Sequence, residues 1–131
     1  MNRRPINPWP WSLQFGFNQA ELIEGQRRVL VCSGQTAMNA EGAPQHAGDV
    51  AGQLSLALDN LEAVLSRAGM TLSNIIRLNI YTTDVDNLFK NYGVLTERLG
   101  GANVMPPGTL LGVSRLAFPD LLVELEATAA D

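Results

Sequence analysis

Pro106-Pro107-Gly108-Thr109 leads into Leu110-Leu111-Gly112-Val113-Ser114-Arg115-Leu116, and Leu122-Val123-Glu124-Leu125-Glu126-Ala127 follows. The first four residues read as a turn, because proline fixes φ and removes a backbone donor. Leu110 to Val113 and Leu122 to Thr128 read as the last two strands of the chain. Glu124 and Glu126 are two residues apart on the second strand, so both carboxylates point to one face, roughly 7 Å apart. Taken alone, such a pair is an ordinary solvated strand face.

Upstream, Ile75 to Thr82 alternates, with Ile76, Leu78 and Ile80 on one side and Arg77, Asn79 and Tyr81 on the other. That is the pattern of a half-buried strand. Thr83-Asp84 opens a helix, with acids near its positive end, that finishes at Gly100-Gly101. An earlier helix starts at a capping Asp49 and runs to Ala68. Its Leu54, Leu58, Leu61, Leu65 and Ala68 keep the spacing of one buried face. Gly69 suits the left-handed position after a helix end, with Met70 as its apolar follower.

Residues 39–48 carry Asn39, Gly42, Pro44 and Gly48 and form a loop. Val29-Leu30-Val31-Cys32 is an apolar strand ending at Ser33-Gly34. Ser12 to Ile23 reads as two short strands or as one bent strand. Residues 1–11 hold Pro5, Pro8, Pro10, Trp9 and Trp11 and read as an extended arm. Its tryptophans dock on a surface or, in the other reading, stack on a ligand. The order is strands, helix, strand, helix, two strands. It predicts one α+β domain over 1–131, a mixed sheet with two helices packed on one face. Two helices cover only one face, so the other packs against another subunit.

The 131 residues fit one domain, and 46% of them are hydrophobic, enough for a real core. Charged residues are 17% of the chain, and the net charge is −4. The eight arginines and the single lysine, Lys90, form no dense cluster, so the basic footprint of a nucleic-acid binder is missing. Cys32 and His46 are the only cysteine and histidine; they cannot build a four-ligand zinc site or an intrachain disulfide. No apolar run reaches the roughly 18 residues of a membrane span, and no apolar signal core follows the N-terminus. These features predict a soluble, cytoplasmic protein without metal.

Several segments resemble one family. Phe17-Asn18-Gln19-Ala20, Ser33-Gly34-Gln35, the Gln53…Leu58-x-Asn60-Leu61 helix pattern, Pro106-x-x-Thr109…Val113-x-Arg115-Leu116 and Glu124-Leu125-Glu126-Ala127 resemble, in order and spacing, the Rid/YjgF family of small enamine/imine deaminases. The resemblance spans about Ser12 to Ala127. It implies a chorismate mutase-like α+β fold and a homotrimer with a cleft at each subunit boundary. It also implies hydrolysis of a small-molecule imine without a cofactor. Glu126 takes the role of the carboxylate that holds the attacking water. The cleft contacts fall to Phe17, Ser33, Gly34, Gly108, Thr109 and Arg115, with Glu126 of one chain facing its neighbour's glycine turn.

Two positions depart from the family. Gly108 stands where the family arginine forks onto the substrate carboxylate, and Phe17 stands where a tyrosine hydroxyl contacts it. Only the Gly108 amide and the Thr109 hydroxyl and amide remain as donors; Arg28, Arg77 or Arg115 could substitute, or could be surface charges. The ligand is then less anionic or more apolar than an amino-acid-derived imine. A trimer that binds a ligand without turnover is the alternative function. Cys32 reads as core filling, His46 as solvated or capping, and Lys90 as solvent-facing.

Overall fold

The structure, a computed structural model, describes residues 1–131. The extended N-terminal segment is tied into the fold. Asn2–Ile6 forms β1 and pairs antiparallel with β2, Ala20–Glu24. Pro5 is tolerated because this two-stranded ribbon consists of edges. Pro10–Phe15 is a short 3-10 helix, taking in the end of the expected arm and, from Ser12, the start of the expected strand, and Gly16 ends it at φ 81°. Arg3 locks the ribbon to the body. Its guanidinium donates to Glu21 and to the Ser73 and Ile75 carbonyls.

The main sheet has the order β3-β6-β4-β5, from Val29–Val31 (β3), Ile75–Thr82 (β4), Leu110–Gly112 (β5) and Val123–Ala130 (β6). β6 pairs antiparallel with β3 and β4, while β5 lies parallel to β4, so the sheet is mixed. A bulge between Ile75 and Arg77 shifts the start of β4. The buried residues are therefore Ile75, Leu78, Ile80 and Thr82, and Ile76 is displaced from the expected row.

Helix α1, Val50–Arg67, starts where Asp49 accepts from the Gly52 amide at 2.9 Å. It ends in a left-handed Gly69, with Met70 N–H donating to Leu65 O and Gly69 N–H to Ser66 O. Leu54, Leu58, Leu61 and Leu65 are fully buried against β4 and β6. The second expected helix is two: α2, Val85–Lys90, capped by Asp84, and α3, Gly93–Gly101. The break falls at Asn91-Tyr92-Gly93, where Asn91 and Gly93 are poor helix formers and the Asn91 side chain turns back onto the Asn87 carbonyl. Leu88, Leu95 and Leu99 from these helices complete the same core.

The helix positions Gln53 and Asn60 fasten loops to α1. Buried Gln53 donates to the His46 and Asp120 carbonyls and accepts from Leu122 N–H. Asn60 donates to the Thr36 and Met38 carbonyls. All helices lie on one side of the main sheet. The other side keeps Val31 at 78% exposure, with Val29 and Leu111 also exposed.

Candidate functional site

The antiparallel register of β4 and β6 sets Asn79 opposite Glu126 and Tyr81 opposite Glu124. All four side chains occupy the uncovered face, since their neighbours Leu78, Ile80, Leu125 and Ala127 fill the core. Asn79 Nδ2 and the Tyr81 hydroxyl both donate to Glu126 Oε1, at 3.1 and 2.9 Å. The donors of Asn79 and then Tyr81 hold the Glu126 carboxyl below its ordinary value. The same bond to Glu126 raises the Tyr81 phenol. Glu126 Oε2 accepts from no group of the chain.

Asn79 also reaches the glycine turn. Its Oδ1 accepts from the Thr109 amide at 3.1 Å. The turn lies flat on β4, with Leu78 N–H donating to Pro107 O and Ile80 N–H to Thr109 O. A Cβ at Gly108 would fall 1.7 Å from the Leu78 carbonyl oxygen. Gly108 is thus required by close backbone approach, and no side chain fits there without moving the strand. The Gly108 amide donates to no group of the chain. Asn79 thus joins Glu126 to the chain's own glycine turn.

Phe17 stands apart from Glu126. It belongs to an aromatic groove of about 630 Å³ formed by Trp11, Phe15, Phe17, Phe89, Tyr92 and Leu110. Trp11 meets Phe15 and Phe17 edge-on, with centroids 6.4 and 5.8 Å apart, and Phe89 meets Tyr92 in the same way at 6.0 Å. Phe17, Tyr92 and Leu110 also border a smaller cavity of about 110 Å³ that runs inward to Gly108 and Thr109. Partial burial raises the Tyr92 phenol. Neither cavity reaches Glu126.

Ser33 and Gly34 lie on another side of the carboxylate pair. Gln35 bonds both ways with Leu125 on β6. Gly34 passes so close to Glu124 that a Cβ would sit 1.9 Å from its Oε1. Arg115 is exposed, enters none of the ion pairs, and its Nε donates only to the adjacent Leu116 carbonyl. It is not brought to Glu126 or to Gly108. Arg28 is engaged by Asp131. Cys32 is buried, and that burial raises its thiol. His46 is exposed at φ 57°, its carbonyl held by Gln53. No group of three or more His, Cys, Asp or Glu side chains is placed to hold a metal ion.

Asn79 and Tyr81 were missed as site residues. Their signal was the polar side of β4, but only the strand register shows that Glu126 lies across from them. The groove residues Phe89 and Tyr92 were missed because the helix break that turns them toward Phe17 was not anticipated.

Residues 15–131 match the endoribonuclease L-PSP family model. Mitochondrial protein mmf1 of Schizosaccharomyces pombe is 36% identical over 129 residues, covering 98% of this chain and 76% of its own. The Yersinia pestis YyfB structure, described as a conserved Rid-family protein of unknown function, is 36% identical, with a TM-score of 0.88 and 99% of each chain covered. Escherichia coli TdcF with bound serine is 26% identical, with a TM-score of 0.70 and coverage of 88% and 87%. No helix of this chain is long and apolar enough to cross a membrane. On the strength of these matches and the α+β fold, the chain belongs to the endoribonuclease L-PSP family, the Rid/YjgF family that its sequence resembles.

Proposed function

We propose that the protein is a hydrolytic enamine/imine deaminase of altered specificity, acting as a homotrimer on a small metabolite without a cofactor. The observation that carries this reading is the division of labour on Glu126: Oε1 is locked by Asn79 and Tyr81, and Oε2 is free. A carboxylate fixed on one oxygen can hold a water on the other. The substrate enters as the protonated imine, a cation that an ionised carboxylate favours. The water oxygen bonds to the imine carbon, and the C=N π pair moves to nitrogen. A water proton passes by way of Glu126 and solvent to that nitrogen. The remaining hydroxyl proton passes to solvent as the oxygen lone pair closes the carbonyl, the C–N bond breaks with its pair going to nitrogen, and ammonia leaves.

TdcF binds serine, whose carboxylate needs a partner. Here the backbone contact at Gly108 leaves no room for a cationic side chain. A substrate without a carboxylate fits this turn better. The uncovered sheet face, with Val29, Val31 and Leu111 exposed, supports burial between subunits. Light scattering should give three times the 14.1 kDa chain mass. A cytoplasmic location belongs to the same reading; the mitochondrial name of mmf1 makes an organelle the competing one.

The test is ammonia release from imines generated in situ. Iminobutyrate should be accelerated weakly, a carboxylate-free imine released by an amine oxidase more strongly, and Glu126→Gln should remove both effects. No acceleration over buffer at high protein concentration, for either imine, would sink the deaminase reading. The non-catalytic binding trimer is favoured by one observation: the Tyr81 hydroxyl, the phenol beside Glu126, is committed to that carboxylate and is not left to protonate the departing nitrogen.

A further inference from the structure

We infer that the groove between the 3-10 helix and the α2–α3 break is a binding site for an uncharged aromatic compound carrying a single hydrogen-bond acceptor, such as an aryl ketone. The inference rests on the cleft proposed above, because Phe17, Gly108 and Thr109 are shared, but it concerns binding and needs no turnover.

Four observations converge. The groove has no charged side chain in its lining, and every residue of it is apolar or aromatic. A buried charge without a partner is costly, so a charged ligand is selected against there. Second, the walls are ring edges and faces already set in edge-to-face pairs at 5.8 to 6.4 Å. An entering ring meets further edges and faces at the spacing aromatic pairs prefer. Third, the groove continues into the inner cavity beside Gly108 and Thr109. A second copy could cover the mouth with a flat surface, but it could not fill a recess behind Phe17, Tyr92 and Leu110. A small molecule can. Fourth, two residues lining this recess, Gly108 and Tyr92, carry donors, an amide and a hydroxyl, that have no partner in the chain. A mostly apolar concavity of this size with a few convergent polar groups is the usual form of a small-molecule site. The ring lies in the outer groove, and the acceptor points inward.

The test uses three probes, titrated into the wild-type protein and followed by ligand-observed NMR. Acetophenone has ring and carbonyl, acetone lacks the ring, and benzoate exchanges the ketone for a charge. Acetophenone should bind about tenfold or more tightly than acetone, from the apolar area of the ring, and more tightly than benzoate. Phe89 is more than half exposed, so Phe89→Ala should fold; it should weaken acetophenone about three- to tenfold. Leu22→Ala, exposed on β2 and outside the groove, should leave binding unchanged. Equal binding of acetone, preferred binding of benzoate, or equal effects of the two variants would overturn the inference. So would a change of particle mass in Phe89→Ala, which would show that a second copy occupies the groove. Acetophenone binding without imine turnover would remove the deaminase reading and leave the site standing. Turnover of imines without acetophenone binding would do the reverse.

Discussion

Replacing Gly108 by alanine should be among the most damaging single changes in the chain. The new methyl would lie 1.7 Å from the Leu78 carbonyl oxygen and 2.7 Å from its carbon. Relief requires the turn and β4 to separate by more than an ångström. That movement breaks the two bonds on either side, Leu78 N–H to Pro107 O at 3.1 Å and Ile80 N–H to Thr109 O at 2.8 Å. Each bond is worth about 1 kcal/mol net, and overpacking adds about 1–3 kcal/mol. The expected loss is therefore about 3–5 kcal/mol, a large share of the ~5–15 kcal/mol typical of a domain. Urea unfolding followed by far-UV circular dichroism measures it, with the slope unchanged and only the midpoint lowered. Gly100→Ala is the matched control. Nothing lies within 4 Å of its new methyl, and alanine inside α3 should stabilise by about 0.5–1 kcal/mol. If Gly108→Ala unfolds within about 0.5 kcal/mol of wild type, the close contact is not real and the account of this turn is wrong. The same contact means that Gly108→Arg should not restore an anion fork, because its Cβ meets the same carbonyl.

Gln53→Leu keeps the volume but strands the Leu122 amide and the His46 and Asp120 carbonyls. It should cost about 2–4 kcal/mol in urea unfolding, and a loss below about 1 kcal/mol would contradict the fastening role. Tyr81→Phe removes one of the two donors that depress Glu126. A carboxylate with a depressed folded pKa stabilises the fold above its unfolded pKa, and that contribution is lost as pH falls through the folded value. In Tyr81→Phe the contribution should therefore be smaller and its loss complete at a higher pH; an unmoved Glu126 titration in carboxyl-detected NMR counts against the pairing. Cys32, buried with a raised thiol, should label at least about a hundredfold more slowly in the folded protein than in urea. Labelling at the rate of an open thiol would place it at the surface.

Helix α1 was readable from its letters alone: a capping Asp49, a leucine stripe of period 3.6, and Gly69 with Met70 as a stop. Each signal is local, and the tertiary structure had only to accept it. The N-terminal region was harder. Pro5, Pro8 and Pro10 correctly announced extended and turn geometry, but not that β1 would find β2 or that Arg3 would hold carbonyls some seventy residues away. The α2–α3 break was masked because the apolar spacing of Leu88, Leu95 and Leu99 is compatible with one continuous helix.

The sequence by itself determined the α+β class, the alternation that faces Glu124 and Glu126 the same way, and the glycine at position 108. Those follow from periods of two and 3.6 and from residue identity. Only the tertiary structure decided that Asn79 ties Glu126 to the glycine turn, that the turn is too close to β4 for any side chain, and that Phe17 faces a groove of rings. Strand register and backbone separation are set by contacts between distant segments, and no local pattern encodes them.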